Sequence, residues 1–504
     1  MRLLTLILCL FVFSCDDDDN LIISAAEITL EERPIPLIKV GEYYCFPDED
    51  NFTLLYPISE NSLELNAIVE YSQDYYSSIY IDESLVESTE SYDFGTVTVD
   101  DTFTIKTVIG STEKEYQLIF TTLPTIMFYT NDEIVDEPKI SSKIVINDII
   151  SEEMYDLFSG IEIRGGTSQQ YPKVSYDIEL WEDKEGVDTE KERLFNLRND
   201  DDWILDAMWI DHSNSRNIIG MNIWESFASA TYFEEEEEAR LGQSGEYIEL
   251  FINDEYMGIY SVNEQIDKKQ LKLDDDEGML FKGESWTLST NFNGIDEEPT
   301  VSNRWSGYEL KYPDENFDEL VWSPLVDLIS LVAYSDDNDF ISSIEQMIDI
   351  DNAIQYFIFV NLIQALDNNG KNLYLLRYKL GYPLNFAPWD LDITFGNNST
   401  EWFGNPDVQT IISNNLFNRL YDLNVNNYRS KVKARWEQIN HPNLSLEISD
   451  KFTDNINKLI YSNAVIRDNS KWEINIDYNN ELAYINSWIV NRISIFDNYI
   501  NSNY

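Results

Sequence analysis

Histidine and cysteine are nearly missing from this 504-residue sequence, which has two of the first and three of the second. A zinc site needs clustered Cys and His ligands, and these residues have no suitable spacing. A serine or cysteine triad would have to use His212 or His441, and neither lies in a nucleophile motif. Zinc enzymes and triad hydrolases are therefore disfavoured. A glycosidase needs two carboxylates, and 93 acidic residues leave that class open.

Basic residues are also few: 34 Lys and Arg stand against 93 Asp and Glu, which gives a formal charge of -59. Such a surface repels the phosphate backbone of DNA and RNA, so we expect no nucleic-acid partner. Exposed charges that are further apart than a Debye length of roughly 8 Å hardly interact at physiological salt. A local site can therefore still bind an anion, provided that it contains metal ions or a few cations.

The N-terminus has the features of an export signal. Arg2 supplies a positive start, and the apolar run from Leu3 to Phe13 is too short to span a bilayer. The residues before Cys15 resemble a bacterial lipobox, in which the cysteine becomes the lipidated N-terminus. We expect residues 1–14 to be a lipoprotein signal peptide and Cys15 to carry the lipid anchor. An ordinary signal peptide would have a similar start.

Four aspartates, Asp16 to Asp19, follow the predicted anchor. An acidic run in this place resembles the surface-export signal of lipoproteins in the Bacteroidetes, and a solvated spacer would look the same. Residues 15–21 are accordingly predicted to be an acidic tether. The resemblance implies a cell-envelope protein that is attached to the outer membrane only by its lipid and is exposed at the cell surface. With Cys9 removed, Cys45 would be the single free thiol, so no intramolecular disulfide is expected.

The rest of the chain divides into two parts by its hydrophobic pattern. With 43% hydrophobic and 13% aromatic residues, each part can bury a sizeable core. Residues 22–122 contain short, alternating, β-branched segments between polar turns, which predicts an immunoglobulin-like β-sandwich. Residues 123–504 mix strands and helices and become mainly helical after Asn316. The predicted fold class is α+β.

Two helices matter for the functional argument. The stretch SNSRNIIGMNIWESFASAT is predicted to be helical, with Ser213 or Asn214 as its cap. Apolar residues at helical spacing predict a second helix from about Asn352 to Leu366. That second helix would place Asp367 at its C-terminal end.

The segment after this helix has the clearest chemical interpretation. LYLLRY and LNFAPW, separated by KLGYP, predict a β-hairpin that returns Asp390 to the neighbourhood of Asn372 and Asp367. This order is that of a kinase catalytic segment: an aspartate, four residues, an asparagine, a hairpin and a second aspartate. Carboxylate and amide oxygens bind Mg²⁺, while one aspartate must stay free to orient or deprotonate the acceptor hydroxyl. Asp367 would take that role, Asn372 and Asp390 would bind metal, and Asp392 could replace or supplement Asp390.

Simpler interpretations of the same residues stay open. Asp367 to Gly370 could be only a helix stop and turn, because Asp, Asn and Gly favour such positions. Asp392 could simply cap a turn. A calcium loop of the EF-hand type is excluded, because Asn372 stands where glycine is required and Tyr378 stands where glutamate is required.

Four segments in a single order resemble the CotH family of atypical, spore-coat-type protein kinases. They are IRGGTSQQYPKVSYDIEL, DWILDAMWIDHSNSRNIIG, YIELFINDEYMGIYSVNEQID, and DNNGKNLYLLRY with PWDLDITFG downstream of it. The resemblance covers roughly Pro124 to Tyr504, so residues 123–504 are predicted to be a divergent protein-kinase-like domain with a helical C-terminal half. It implies ATP and Mg²⁺ or Mn²⁺ as cofactors. Asp367 matches the catalytic aspartate of the family, and Asn372 and Asp390 match its metal-binding positions.

The resemblance also implies residues that bind the nucleotide. Lys173 matches the lysine that anchors phosphate, with Arg164 and Ser168 nearby. A kinase lysine of this kind needs a carboxylate partner that holds its amine in place. Glu225, on the predicted helix, and Glu264, in VNEQID, are both candidates for that partner.

Two functions follow as expectations. The first is an ATP- and metal-dependent phosphotransferase, an atypical protein kinase that acts on Ser or Thr of surface or secreted proteins. ATP is scarce outside the cytoplasm, where the predicted anchor would place the chain. The second is therefore a surface adhesion or structural lipoprotein that uses a kinase-like scaffold without catalysis.

Overall fold

The computed structural model describes residues 37–315, 317–397 and 407–504. The predicted signal peptide, Cys15 and the acidic tether lie outside these residues. Strands dominate up to Tyr312 and helices dominate after it, which confirms the mixed α+β composition. Among the helices in these ranges, none combines the length and apolar character that a membrane span requires.

The first nine strands form one sheet. They are β1 (Ile38–Val40), β2 (Tyr43–Asp48), β3 (Thr53–Pro57), β4 (Leu63–Glu70), β5 (Ser78–Ile81), β6 (Ser84–Val86), β7 (Glu90–Val97), β8 (Phe103–Ile109) and β9 (Thr112–Thr121). Their order is β6-β5-β8-β9-β3-β2-β1-β4-β7, and β3 pairs with β9 in parallel. Alternate side chains such as Ile79 and Ile81 are buried, as the sequence alternation predicts. The immunoglobulin-like assignment of residues 22–122 stays a prediction.

The next strands close into a seven-stranded barrel. They are β10 (Thr125–Tyr129), β11 (Ile140–Asp148), β12 (Glu153–Arg164), β13 (Ser175–Trp181), β16 (Asp202–Asp206), β17 (Gly245–Ile252) and β18 (Glu255–Asn263), with the short pair β14 (Glu192–Arg193) and β15 (Asn199–Asp200) inserted. The order is β10-β11-β12-β13-β16-β18-β17, and β17 pairs in parallel with β10. Ile178, Trp203 and Tyr260 fill the interior, so the alternate residues of these strands face outward.

The barrel packs directly on the N-terminal sheet. Phe46 and Leu55 of the sheet share an apolar cluster with Met127 and Phe251 of the barrel. The Asn147 side-chain amide donates to the Tyr44 carbonyl at 2.9 Å, and its oxygen accepts from the Tyr44 N–H at 3.0 Å. Apolar burial and paired hydrogen bonds therefore fix the two units to each other.

A second sheet and the helices form the C-terminal part. Its strands are β19 (Met279–Gly283), β20 (Arg304–Trp305), β21 (Tyr308–Tyr312), β22 (Leu373–Arg377) and β23 (Asn385–Pro388), in the order β20-β21-β19-β22-β23. The helices are α1 (Arg216–Phe227), α2 (Lys268–Leu271), α3 (Ser323–Tyr334), α4 (Asp337–Met347), α5 (Ile350–Leu362), α6 (Asn415–Leu423), α7 (Tyr428–Ile439), α8 (Leu444–Tyr461), α9 (Ala464–Lys471) and α10 (Tyr478–Asn503).

Helix α5 is the centre of this part, because every residue in it except Asp351 is buried. It ends at Leu362, earlier than the predicted Leu366. Gln364 adopts a left-handed backbone with φ of 55°, which ends the helix. Asp367 therefore begins a separate 3-10 turn, Asp367–Asn369, instead of ending the helix.

Helix α1 confirms the predicted helix after His212 but differs in its cap. Ser213 and Asn214 precede the helix without capping it. Instead Asp211 accepts from the backbone N–H groups of Ser215 at 2.8 Å and Arg216 at 2.7 Å. A carboxylate is favoured at a helix N-terminus, where unpaired N–H groups carry positive partial charge.

Candidate active site

A cleft of about 600 Å³ separates the outer face of the barrel from the loops around the second sheet. This volume is within the range of small-ligand sites. Its roof is the outward face of β12, β13, β16 and β18, and its floor is formed by the residues around β22 and β23. The residues that line it are Arg164, Gly165, Gly166, Thr167, Ser168, Tyr171, Ser175, Ile204, Asp206, Ile210, Asn217, Gln243, Asn263, Lys282, Glu284, Ser285, Trp286, Asp367, Lys371, Asn372, Trp389, Asp390, Asp392 and Ile393.

The β22–β23 hairpin brings three predicted residues together on the floor. Leu373 pairs with Pro388, so Asn372 precedes one strand directly beside the point where Asp390 follows the other. The Asn372 side-chain amide donates to an oxygen of Asp390 at 3.1 Å and to an oxygen of Asp367 at 3.3 Å. The predicted grouping of Asp367, Asn372 and Asp390 is thus present in the structure.

Asn368 fixes this arrangement and was missed by the sequence interpretation. Its side-chain amide donates to the carbonyl oxygens of Asn372 and Trp389. These carbonyls belong to the two arms of the hairpin next to the site. Asn368 is only 1% exposed, so solvent does not compete for these bonds. The second residue of DNNG gave a signal, because Asn in a turn often bonds to nearby backbone.

The carboxylates of the floor repel one another. Burial raises the pKa of Asp390, and the nearby Asp367 charge raises it further. Burial raises the pKa of Asp392 well above its usual range, with the charges of Asp390 and Asp206 adding to the effect. The Asp390 residue is nevertheless exposed to solvent at the cleft. A cation in the cleft would relieve this repulsion.

Asp367 has a lysine as an ion-pair neighbour. Burial raises the pKa of Asp367, while the Lys371 ammonium, 3.7 Å away, opposes that rise. Asp206 is a further cleft acid, and the sequence interpretation did not single it out. Asp206 is the last residue of β16 and lies on the outward face of the barrel. The sequence indicated this only through the alternation of Asp206 with the buried Leu205.

The residues of the floor fit a divalent cation bound together with phosphate. Mg²⁺ binds through one or two carboxylates and completes its shell with phosphate oxygens and water. Asp390, Asp392 and Asn372 offer two carboxylates and one amide. The Asn372 amide must turn by half a rotation to present its oxygen to an ion, because its nitrogen faces the carboxylates. Within the described ranges, no three His, Cys, Asp or Glu side chains form a ready-made metal cage.

Lys173 is not in the cleft, which corrects the prediction for the phosphate-anchoring lysine. Its ammonium is buried and lies 2.8 Å from Asp468 on helix α9, and it donates to the Ile259 carbonyl at 2.5 Å. Neither Glu225 nor Glu264 is its partner. The Asp468 carboxylate, the Ile259 carbonyl and the Tyr260 ring, whose centre is 4.8 Å from the nitrogen, thus surround the amine.

Glu225 and Glu264 have structural partners instead. Arg240 lies 3.5 Å from Glu225 and 2.5 Å from Glu264. Glu264 also accepts from the backbone N–H of Arg198 at 2.9 Å and of Ser244 at 3.1 Å. Glu264 therefore joins the end of β18 to the loop before β17.

Lys282 on β19 is the lysine that the cleft does contain. Burial lowers its pKa to about 8, and the neighbouring Arg164 and Lys311 charges contribute to the decrease. Within the described ranges no carboxylate forms an ion pair with it at 4 Å or less. The one sequence signal was a lysine inside the apolar strand MLFKG. A desolvated lysine without an ion-pair partner favours an anionic ligand.

Arg164 and Ser168 line the cleft at the tip of the β12–β13 hairpin in the roof, and their predicted role in nucleotide binding stays a prediction. Arg164 pairs with Asp177 at 3.3 Å, and its guanidinium lies 5.9 Å from the Trp389 ring centre on the floor. Gly165 has φ of 102°, and a Cβ there would lie 1.9 Å from the Ser168 hydroxyl oxygen. Only glycine permits this close turn, which directs the hairpin tip into the cleft.

One comparison with known proteins gives a match. A family model described as CotH kinase protein matches residues 161–496. The match begins on strand β12 and ends on helix α10, so it includes the roof and the floor of the cleft. No curated protein is similar to the chain.

Proposed function

This chain belongs to the CotH kinase family, and on that basis we propose that it transfers the γ-phosphoryl group of ATP to Ser or Thr hydroxyls of other proteins, with Mg²⁺ or Mn²⁺ as cofactor. The observation that supports this most is the single cleft that holds Asp367, Asn372, Asp390 and Lys282. Phosphoryl transfer needs positioned charge of both signs more than covalent chemistry from the protein. The cleft offers both.

Asp367 acts on the acceptor. Its carboxylate orients the hydroxyl, whose oxygen bonds to the γ-phosphorus while the bond to the bridging oxygen of ADP breaks. The hydroxyl proton passes to Asp367, and ADP leaves with the electron pair of the broken bond. Burial raises the pKa of this carboxyl, which makes it a stronger base than an exposed aspartate.

The other cleft residues act on the nucleotide. When bound, the divalent cation neutralises charge on the phosphate oxygens, and Asn372, Asp390 and Asp392 would hold it. Lys282, on strand β19 of the second sheet, supplies a positive charge to the cleft. Gly165, Gly166 and Ser168 cover the phosphates with backbone N–H and hydroxyl donors.

The location of the reaction is part of the proposal. The export signal, the lipobox resemblance at Cys15 and the acidic run after it favour a lipoprotein at the cell surface. Its acceptors would then be surface or secreted proteins. The N-terminal sheet is packed on the barrel and would lie between the anchor and the kinase-like part along the chain.

The decisive experiment measures transfer from γ-labelled ATP by the purified protein, with Mg²⁺ and with Mn²⁺. Asp367→Asn is expected to reduce the rate about 10² to 10⁴-fold and to keep nucleotide binding, because only the base is changed. Asp390→Asn is expected to lose metal-dependent nucleotide binding as well. Asp351→Asn, at an exposed aspartate of helix α5 that pairs with Lys431, is the control and should match the wild type.

A negative result would support the second candidate. If the wild type neither binds nucleotide with metal nor labels itself or a generic acceptor, the chain is a non-catalytic surface scaffold. The hydrogen bonds from Asn372 to both aspartates are the observation in favour of that function, because they partly satisfy the acids without a metal ion.

A further inference from the structure

The cleft contains a second lysine, Lys371, on the turn between Asp367 and Asn372. Its side chain is 32% exposed, so a ligand can reach it from the cleft. Among the described residues, Asp367 is the only acid within 4 Å of its ammonium, at 3.7 Å. That distance exceeds the roughly 2.7–2.9 Å of a charge-assisted hydrogen bond, and an ammonium has three donors. Lys371 therefore keeps donors for a ligand.

The backbone fixes Lys371 relative to the other residues of the floor. The Lys371 N–H donates to the Asp367 carbonyl at 3.0 Å, which closes the turn on the predicted base. The Asn372 N–H donates to the Gly283 carbonyl at 2.9 Å, and Gly283 follows Lys282 on β19. A functional side chain on a turn that is held at both ends needs little rearrangement to bind its ligand.

Lys371 interacts electrostatically with both acids that the proposed function uses. Its charge opposes the rise in the pKa of Asp367, and together with Lys282 it opposes the rise in the pKa of Asp390. Asn372 donates to both carboxylates, at 3.3 and 3.1 Å, so a single amide group connects them. The Lys371 charge is therefore shared between the acceptor side and the metal side of the site.

The transferred group has to cross between these two sides. In-line transfer places the γ-phosphorus between the attacking oxygen of the acceptor and the leaving oxygen of ADP. In the proposed function the acceptor hydroxyl lies at Asp367, and the metal-bound phosphates lie at Asp390. A cation that acts on both acids is therefore close to the path of the γ-phosphoryl group.

We infer that the Lys371 ammonium donates a hydrogen bond to the γ-phosphoryl group of the nucleotide as that group is transferred. This inference rests on the proposed function and adds a catalytic residue to it. The acceptor oxygen bonds to phosphorus, ADP leaves with the electron pair of the broken bond, and the hydroxyl proton passes to Asp367. Lys371 keeps its own proton throughout and stabilises negative charge on a γ-phosphoryl oxygen.

The test compares a nucleotide that has a γ-phosphate with one that lacks it, on the full chain with Mg²⁺. The non-hydrolysable β,γ-imido analogue of ATP and ADP are each titrated by calorimetry. Lys371→Met is expected to lower the affinity for the ATP analogue about tenfold and to change the affinity for ADP by less than about twofold. Equal losses for both nucleotides, or no loss for either, overturn the inference and leave the proposed function standing. Binding of neither nucleotide by the wild type overturns both.

Matched variants separate the charge of Lys371 from a structural role. Lys371→Met should lower kcat about 100-fold, and Lys371→Arg should recover much of this loss because it keeps a positive donor. Lys379→Met is the control: Lys379 is 30% exposed, lies on the turn of the same hairpin and pairs with Glu235 at 2.6 Å outside the cleft. It should match the wild type in both assays. An arginine variant as impaired as the methionine variant overturns the inference, and Lys371→Gln repeats the titration if the methionine variant does not fold.

Discussion

Lys173 and Asp468 form a buried ion pair, with 2.8 Å between the ammonium nitrogen and a carboxylate oxygen. The same oxygen of Asp468 accepts from the Ile259 N–H at 2.9 Å, and Lys173 donates to the Ile259 carbonyl. The pair therefore joins the start of β13, the middle of β18 and helix α9. Its chemistry is structural, although the sequence around Lys173 resembles a phosphate-binding segment.

Lys173→Met should destabilise the fold without weakening nucleotide binding. Removing one partner of a buried ion pair leaves an uncompensated charge and costs about 3–5 kcal/mol in the free energy of unfolding. Urea denaturation measures this loss. The double variant Lys173→Met with Asp468→Leu should recover much of it, since no lone charge remains. If the Lys173→Met protein is stable but no longer binds nucleotide, the prediction is wrong and Lys173 takes part in nucleotide binding.

Lys282→Met should have the opposite effect. A hydrogen bond from a charged donor to phosphate contributes about 1.5–3 kcal/mol, so the affinity for Mg²⁺-ATP should fall about ten- to a hundredfold. The stability at neutral pH should rise, because burial disfavours the charged Lys282 amine in the folded protein and lowers its pKa to about 8. Lys311→Met, on the neighbouring strand β21, is the matched control in the same titration. Equal effects of the two variants would show that only the general charge of this sheet matters.

Lys282 should also react with amine reagents at an unusually low pH. The neutral amine is the nucleophile, and burial lowers the pKa of Lys282 to about 8. Its acylation rate should therefore reach half of its maximum near pH 8. For exposed lysines the rate should reach half of its maximum only near about pH 10.4. Mass spectrometry of the modified peptides gives the profile, with Lys311 as reference. Protection by Mg²⁺-ATP is expected, and an ordinary profile for Lys282 would contradict its burial.

Asp202→Asn should stabilise the protein at neutral pH. Burial raises the pKa of Asp202 to about 6, so the folded state holds its proton at a pH where the unfolded state has lost it. Stability therefore falls as pH rises from about 4 to 6, and the penalty persists above pH 6. With the side chain 28% exposed, we expect a gain of about 1–2 kcal/mol at pH 7.

The gain at Asp202 should vanish near pH 4, where the carboxyl is protonated in the folded protein. Urea denaturation at the two pH values measures the difference. Asp156→Asn, at an exposed partner of Lys143, should change stability by less than about 0.5 kcal/mol at either pH. A gain of equal size at both pH values would show that ionisation is not its cause.

Asn368→Ala should slow transfer more than it weakens nucleotide binding. Its amide bonds hold both arms of the hairpin in position next to Asn372 and Trp389, and a displacement of about 1 Å in a catalytic group can cost about 100-fold in rate. The measured quantities are kcat and the nucleotide dissociation constant. Asn369→Ala is the control, because its amide donates to the Ser413 carbonyl instead. A fall in affinity as large as the fall in kcat would reveal general loss of the cleft.

Local sequence predicted the floor of the cleft well. Asp367, Asn372 and Asp390 lie within one short 3-10 turn and one hairpin, and such tight turns leave few ways to arrange them. The exact end of α5 was wrong, because the left-handed backbone at Gln364 has no local signal in an unbroken apolar pattern. A glycine or an asparagine at this position would have predicted the end of the helix.

Long-range contacts explain what the sequence could not predict. Lys173 and Asp468 are 295 positions apart, and no local pattern connects them. Lys282 enters the cleft only because β19 pairs with β22 and thereby lies beside the catalytic hairpin. The barrel closure through β10 and β17 is equally non-local. The role of a lysine in an apolar strand can be predicted only when the order of strands in the sheet is known.

Asn372 and Asp390 both adopt the left-handed backbone conformation, with φ of 51° and 56°. Among residues with a Cβ, asparagine and aspartate tolerate this region best. The site can therefore exchange an amide for a carboxylate with little disturbance of the chain, so its charge is adjustable. The length of the side chains at these two positions is not adjustable in the same way. A longer or β-branched side chain at either position would disturb the hairpin backbone before it changed the chemistry. The geometry of two turns thus limits which amino acids this centre can ever use.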